Sequence, residues 1–252
     1  MKFQFRTTLV VGAVAAGVAL SGCSTPSNSN QPSSSPSNGP DASKLVSDSA
    51  DAMKALTGAH LVITADGKVP NVKITKLEAD VAGKPAVVAT GDATLQMGKD
   101  KTQDAKLIYV DGHLYSDIAE PGKWVDYGKG DSIYDLGVIF DPSNGLANAL
   151  SKVKDAKEAG SDTINGTATT KVTGTVSSND VAQLAGLRMA PQNALDVPIT
   201  LWIAKDKPNN LVQAQVASPA SKDGKLTLTL SDFGKTVTAE KPPVTNPTDA
   251  GN

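Results

Sequence analysis

The stretch Thr90-Gly91-Asp92-Ala93-Thr94-Leu95-Gln96-Met97 alternates between small or apolar side chains and polar ones. In an extended strand successive side chains point to opposite faces, so Ala93, Leu95 and Met97 share one face and the polar residues between them share the other. A strict period of two is typical of an antiparallel sheet with one face on the core and the other in water. We therefore expect Ala93, Leu95 and Met97 to point inward.

The same alternation recurs on both sides of this stretch and predicts about ten strands, the last at 236–240. Asp-Gly, Asn-Gly and Gly-Lys-Pro sequences between the strands are typical of hairpin turns. Apolar residues at helical spacing follow Asp41, Asp131-Ser132, Asp141-Pro142 and Ser178. This pattern predicts an α+β fold: a large curved antiparallel sheet, or U-shaped half-barrel, with short helices packed on its concave face.

A curved sheet with helices across its mouth can leave an apolar space between the two layers, which is a common place for a ligand. A solid core is the alternative. If the space exists, its walls are the inward faces of strands and the apolar faces of helices. The candidate ligand-binding residues are Ala93, Leu95, Met97, Leu107, Tyr109, Ile133, Leu136, Ile139, Phe140, Leu146 and Leu150.

The first 23 residues have the pattern of an export signal. Lys2 and Arg6 precede an uncharged apolar run of about twelve residues, which is too short to span a hydrocarbon layer of roughly 30 Å. The run ends in Leu20-Ser21-Gly22-Cys23, which matches the bacterial lipobox, and Cys23 is the only cysteine. We expect residues 1–22 to be a cleaved lipoprotein signal peptide and Cys23 to be the site of lipid attachment. The chain would then be exported and lipid-anchored to the outer face of the cell membrane.

After Cys23, residues 24–40 contain no apolar side chain except proline. Such a segment buries too little surface to offset the entropy of ordering it, so we expect residues 23–40 to be an acylated, flexible tether. Its Ser/Thr-Pro bias is also compatible with O-glycosylation. Residues 41–244 are predicted to form a single lipid-binding domain, and residues 245–252 a disordered tail.

Composition and motifs exclude several functions. The chain holds 24 Lys and Arg against 26 Asp and Glu, whereas a nucleic acid selects a basic surface. The motifs of phosphate loops, dinucleotide sites, serine hydrolases and zinc peptidases are absent. His60 and His113 could act as bases, and Asp131 with Asp135 could hold a cation, but satisfied histidines and acids of a first helical turn are the interpretations we favour. We expect no enzyme activity, no cofactor and no metal.

Several segments together resemble a known family. They are the lipobox, the Ser/Pro tether, Met53-Lys54-Ala55-Leu56-Thr57-Gly58-Ala59-His60, Val69-Pro70-Asn71, Tyr109-Val110-Asp111-Gly112-His113-Leu114-Tyr115-Ser116, Ser132-Ile133-Tyr134-Asp135 and Asp141-Pro142-Ser143-Asn144-Gly145-Leu146-Ala147-Asn148. These segments resemble the mycobacterial LppX/LprA/LprF/LprG lipoprotein family, most closely its LprA branch. They follow the same order as in that family, with few gaps. The resemblance covers nearly the whole mature chain.

The resemblance implies a LolA/LppX-like fold with a lipid-binding cavity between sheet and helices. It implies that the chain binds acylated lipid or glycolipid and carries it between envelope components, with an envelope transporter as a further partner. The acylated N-terminus would also be an agonist of host Toll-like receptor 2. We expect a monomer. The alternative function is a solid-core anchored lipoprotein that serves as a scaffold for a protein partner.

Overall fold

The computed structural model describes residues 40–69, 72–98, 101–130, 136–182, 184, 193–218 and 221–245. This part of the chain contains eleven strands: β1 (Gly58–Asp66), β2 (Ile74–Ala82), β3 (Val88–Gln96), β4 (Thr102–Val110), β5 (His113–Glu120), β6 (Lys123–Lys129), β7 (Lys154–Ile164), β8 (Thr167–Ser177), β9 (Asp196–Ala204), β10 (Leu211–Ala217) and β11 (Lys225–Ser231). The helices described in the same residues are α1 (Pro40–Lys54), a 3₁₀ helix (Leu136–Phe140), α2 (Leu146–Ser151) and α3 (Ser178–Ala182).

All eleven strands belong to one antiparallel sheet in the order β6-β5-β4-β3-β2-β1-β11-β10-β9-β8-β7. The predicted fold class, an open curved sheet with a few short helices, is therefore confirmed. Local turn chemistry forms the hairpins: Asp111-Gly112 has φ angles of 54° and 78°, and Asn165-Gly166 has 47° and 81°. Two successive positive φ angles define the type I′ turn, whose twist matches that of paired strands.

The pairing of β1 with β11 joins the two ends of the domain at the centre of the sheet, with Leu61 opposite Leu230. As a result β6 and β7, which follow each other along the chain, lie at opposite edges. The segment that connects them must cross the whole sheet, and it carries the 3₁₀ helix and α2. Several of its described apolar residues are buried, among them Leu136, Ile139 and Leu150. This crossing covers the concave face.

Helix α1 packs on the same face through one apolar stripe. Ala42, Val46, Ala50 and Met53 recur at three- and four-residue spacing and are each at most 4% exposed. Leu56, which lies between α1 and β1, is also buried. The sequence prediction of an amphipathic helix after Asp41 is confirmed.

The predicted helix that begins with Asp141 as its cap is placed four residues too early. The Asp141 carboxylate accepts hydrogen bonds from the backbone amides of Ser143 and Asn144, at 2.7 and 3.0 Å, and so stabilises a turn. Helix α2 begins only at Leu146, after Gly145. A Cβ at Gly145 would lie 2.2 Å from the carbonyl oxygen of Val138, so the turn folds tightly back on the 3₁₀ helix.

The strand predicted at 236–240 is not a strand in the structure. Because β11 is already paired with β1 and β10, no free edge remains beside it. Just after this segment, Nζ of Lys241 lies over the ring of Tyr115, and Val244 forms a bridge with Trp124 of β6. Thr245 donates its amide to Trp124 at 2.9 Å, so this first residue of the predicted tail is bound to the sheet.

The chain divides into two compact units, Met1–Ser35 and Pro36–Asn252. The described residues all belong to the second unit. The predicted signal peptide, Cys23, the Ser/Pro part of the tether up to residue 39, the Asp131–Asp135 segment and residues 246–252 lie outside the described residues.

Candidate functional site

A cavity of about 250 Å³ lies between the helices and the inward faces of four neighbouring strands near the centre of the sheet. The sheet wall is apolar and is formed by Ile63 of β1, Leu226 and Leu228 of β11, Ala214 and Val216 of β10, and Val197, Ile199 and Leu201 of β9. The opposite wall comes from the 3₁₀ helix, α2 and α3, through Ile139, Leu146, Ala149, Leu150, Val181 and Ala182.

The period-two alternation of the strands forms the sheet wall. Along β10, Ala214 and Val216 face the cavity, whereas Gln213 and Gln215 point to the outer face and donate to Thr229 and Thr227 of β11. The polar side chains of β10 therefore form their hydrogen bonds on the outer face of the sheet, and the inward side chains, Ala214 and Val216, are apolar.

The cavity is chemically uniform. Among the described residues that line it, only Ser178 and Ser218 have a polar side chain. A charged or strongly polar group would lose its hydration here without gaining partners, which costs several kcal/mol. The volume lies between the roughly 150 Å³ of a cavity that holds benzene and the roughly 300–1,000 Å³ of a pocket for a drug-sized ligand. The space therefore suits a hydrocarbon segment, such as part of an acyl chain.

Burial changes across the cavity. Leu201 is 0% exposed and Leu150 2%, so these residues form its inner part. Val69, Val72 and Leu226 are half-buried, and they stand at the end of the sheet where β1 leads to β2 and β10 leads to β11. A ligand would enter from this end, since the lining there is still in contact with solvent.

Three of the predicted ligand-binding residues, Ile139, Leu146 and Leu150, line the cavity. A second group does not line the cavity: Ala93, Tyr109, Leu136 and Phe140 are buried in the hydrophobic core, and Leu95 and Leu107 are partly buried and pack against it. The third case, Ile133, lies outside the described residues. Strands β3 and β4 therefore supply core residues, and the cavity lies on the other side of β2.

The prediction that Met97 points inward is wrong, because its exposed fraction is 55%. Strand β3 ends one residue earlier, and the Met97 amide donates to Lys101 at 2.8 Å in the turn to β4. The pairing of β2 with β3 also shifts register near Ile74. Alternation no longer dictates the direction of a side chain once the ladder has ended.

Gly91, the small residue on the same face as Ala93, does not line the cavity either. A Cβ at Gly91 would lie 2.2 Å from the carbonyl oxygen of Glu78 and 2.6 Å from Cβ of Ala79. The glycine is required by the close approach of β2, and it does not mark an empty volume.

The residues of the sheet wall were not among the predicted ligand-binding residues. Their signal was present as alternation in the strands at 197–204, 211–217 and 225–230. What no pattern indicated was the pairing of β11 with β1, which brings Leu228 beside Ile63 and turns these faces toward α2.

Both histidines contact carboxylates. On the outer face, Nδ1 of His60 lies 2.7 Å from Oδ1 of Asp80, which also accepts from Nζ of Lys235 at 2.8 Å. Burial opposes ionisation of Asp80, but the hydrogen bonds from Lys235 and His60 outweigh it and hold the pKa of that carboxyl below its ordinary value. Nδ1 of His113 lies 3.0 Å from the carboxylate of Asp126. Among the described residues there is no group of three or more His, Cys, Asp or Glu that could hold a metal ion.

The family model described as LppX_LprAFG lipoprotein matches residues 41–239. The chain belongs to the LppX_LprAFG lipoprotein family. It is 48% identical to lipoprotein LprA of Mycobacterium tuberculosis over 227 residues, which cover 89% of this chain and 92% of that protein. It is 36% identical to the lipoarabinomannan carrier protein LprG of Mycolicibacterium smegmatis over 241 residues, covering 96% and 97%.

Two solved members of the LppX_LprAFG family share the architecture. The crystal structure of LprF from Mycobacterium bovis matches with a TM-score of 0.71 and 28% identity, over 81% of this chain and 98% of LprF. LppX of Mycobacterium tuberculosis matches with a TM-score of 0.60 and 26% identity, over 80% and 99%. The predicted family is confirmed. In the part of the chain that is described, no helix is long and apolar enough to cross a membrane.

Proposed function

We propose that this protein is a lipid-anchored envelope protein that binds acylated lipid or glycolipid in its cavity and carries it between envelope components. The observation that carries the proposal is the cavity itself: a space of about 250 Å³ whose described lining residues are apolar except for two serines. Each methylene that leaves water for such a site contributes about 0.8 kcal/mol, so an acyl segment is the ligand that gains most from it.

Sequence similarity to a relative supports the same class of ligand. A relative that is 36% identical over nearly its full length is named a lipoarabinomannan carrier protein. The cavity also weakens the alternative of a solid-core scaffold. We propose no catalytic step, because the described residues of the cavity lining offer no acid, base or nucleophile other than the hydroxyls of Ser178 and Ser218.

The anchor of the proposed carrier is Cys23. The lipobox Leu20-Ser21-Gly22-Cys23 supports cleavage before this residue and acylation of its thiol. One acyl chain alone gives marginal membrane binding, and several chains on one N-terminus give stable attachment. An N-terminus acylated in this way is also the part of the molecule that we propose as an agonist of Toll-like receptor 2.

The cavity is tested by filling it. Ala214→Trp places an indole inside the cavity from the central strand β10, where Ala214 is 7% exposed. We expect the ring to take the place of an acyl segment, so the purified variant should carry less lipid than the wild type. The measurement is mass spectrometry of lipid extracted from protein that lacks the N-terminal acyl group.

Two variants serve as controls. Gln213→Trp adds the same ring to the outer face of the same strand, and Ala93→Trp adds it to core outside the cavity. Both should retain bound lipid, although Ala93→Trp should be less stable by about 1–3 kcal/mol because it overpacks the core. Absence of co-purified lipid from the wild type, or equal loss in Gln213→Trp, would contradict the carrier function.

The anchor is tested by Cys23→Ala. Without the thiol the chain should no longer incorporate labelled fatty acid or partition into the detergent phase, and it should lose any Toll-like receptor 2 activity. Ser24→Ala, which leaves the lipobox intact, should behave as the wild type. Unchanged labelling of Cys23→Ala would show that the anchor is assigned to the wrong residue.

A further inference from the structure

The loops at one end of the sheet form a surface that we call the mouth surface, made of residues 66–69, 72–73, 97–98, 101, 193–195, 218 and 221–225. Strands β1, β3 and β10 end there and β2, β4, β9 and β11 begin there, because every neighbouring pair is antiparallel. Two of its loops touch: a Cβ at Gly67 would lie 2.4 Å from the carbonyl oxygen of Asp223, and one at Gly224 would lie 2.5 Å from that of Lys68. The mouth surface is therefore continuous beside the cavity entrance.

Large apolar side chains are exposed on this surface. Met97 is 55% exposed and Leu195 is 51% exposed, and these are the highest values among the large hydrophobic side chains in the described residues. Both stand at strand ends of the mouth surface, one after β3 and one before β9. Between them lies the half-buried part of the cavity lining, such as Leu226. Met97 and Leu195 are separated by the width of four strands, β2, β1, β11 and β10, so they flank this half-buried lining as two separate apolar groups.

The charge of the mouth surface is opposite to that of the chain. The loop segments 66–73 and 218–225 hold four lysines and two aspartates, a net charge of +2, whereas the whole chain has a net charge of −2. Lys68, Lys73 and Lys222 are exposed. Lys101, at the neighbouring turn between β3 and β4, is exposed as well. Lysines around exposed apolar side chains are the complement of an anionic lipid surface, where phosphates lie above hydrocarbon.

We propose that the mouth surface docks on an anionic lipid bilayer, with its lysines at the phosphates and with Met97 and Leu195 in the interfacial layer. Docking turns the cavity entrance toward the bilayer, so an acyl chain can pass between bilayer and cavity without crossing water. The use of the docking for lipid transfer rests on the proposed carrier function. The docking itself needs only the lysines and the two apolar side chains.

Such docking is weak by itself and is strengthened by the anchor. A lysine near an anionic surface strengthens binding about fivefold, and the effect falls off within a Debye length of about 10 Å at moderate salt. An acylated Cys23 on the same chain would hold the domain at a high effective concentration over the membrane. The domain could then leave and return repeatedly, as a carrier requires.

The test uses the chain from residue 24 onward, which contains the whole compact unit of residues 36–252 and lacks the acylated cysteine. Binding is measured by sedimentation with vesicles of phosphatidylcholine alone and of phosphatidylcholine with phosphatidylglycerol. We expect binding only to the anionic vesicles, and we expect salt to reverse it. Lys68→Gln/Lys222→Gln should weaken it by about 25-fold, at about fivefold for each lysine. Met97→Ser/Leu195→Ser should also weaken it.

The matched control is Lys84→Gln/Lys205→Gln, which makes the same charge change at exposed lysines of the opposite end of the sheet. It should bind as the wild type does. Circular dichroism checks the fold of each variant, and Lys73→Gln/Lys225→Gln provides a second pair if the first does not fold. Equal binding to neutral vesicles, no binding to anionic ones, or equal loss in the control pair would overturn the docking surface.

The two proposals fail separately. Lipid extracted from the docking variants should match that of the wild type, because none of the substituted lysines lines the cavity. A wild type that binds anionic vesicles but never carries lipid would refute the carrier function and leave the docking surface intact. A wild type that carries lipid but ignores the vesicles would refute the docking surface alone.

Discussion

Gly91→Ala is the change that most directly tests the close approach of β2 and β3. Gly91 pairs with Ala79 across the two strands. The added Cβ would lie 2.2 Å from the carbonyl oxygen of Glu78, 2.6 Å from Cβ of Ala79 and 2.7 Å from its Cα. No long flexible side chain is available to move aside, so one strand must shift against the other.

The expected cost follows from this geometry. Overpacking of a fitted site costs about 1–3 kcal/mol and occasionally more. In a domain of this size each kcal/mol lowers the melting temperature by about 2–4 °C, so we expect a decrease of about 2–12 °C. Replacement of glycine by alanine at an unstrained site does the opposite and stabilises a protein by about 0.4–1 kcal/mol, since the unfolded chain loses freedom.

Gly98→Ala is the matched control. Apart from its chain neighbours, no atom of the described residues would lie within 4 Å of its added Cβ, and its φ is not in the left-handed region. Urea unfolding followed by circular dichroism should show a lower midpoint for Gly91→Ala and an equal or higher midpoint for Gly98→Ala, with equal slopes. If Gly91→Ala unfolds at or above the wild-type midpoint, β2 and β3 do not approach each other closely at Gly91.

Two further predictions concern the cavity wall and the outer face. Leu201→Ala should destabilise the protein by about 2–5 kcal/mol, because Leu201 is 0% exposed, whereas Leu195→Ala, at a residue 51% exposed, should change the urea midpoint little. Asp80→Asn should cost less than about 1 kcal/mol near neutral pH, because its Lys235 and His60 partners are partly exposed. The folded-state pKa of Asp80 lies below its ordinary value of 3.8, so its contribution is present above about pH 4 and is lost as the pH falls. The difference between Asp80→Asn and the wild type should therefore shrink in acid, and a difference that grows there would contradict the assignment.

Much of the fold could be predicted because it depends on neighbours in the chain. Positive φ angles at Asp111-Gly112 and Asn165-Gly166 follow from residue types that tolerate them. The stripe of Ala42, Val46, Ala50 and Met53 follows from the helical repeat. The face on which Ala93 lies follows from the pleat of a strand. Each of these is a local consequence of backbone geometry.

The sequence by itself also indicated the apolar character of the cavity and three of its residues, Ile139, Leu146 and Leu150. It could not place the cavity along the sheet. Alternation states which residues share a face, but it does not state which strand lies next to which. The prediction therefore used β3 and β4, where alternation is clearest, although these strands contribute to the hydrophobic core beside β2 and not to the cavity lining.

The tertiary structure decided the position of the site through one non-local contact. Leu61 of β1 lies opposite Leu230 of β11, from the far end of the domain. This pairing places β6 and β7 at opposite edges, sends the 3₁₀ helix and α2 across the concave face, and leaves the cavity between them and strands β1, β11, β10 and β9. It also leaves no free edge on β11, the strand that precedes residues 236–240. Such a pairing is stabilised by the apolar surface that the whole sheet buries. No short stretch of sequence determines that buried surface, because the paired strands are far apart in the chain.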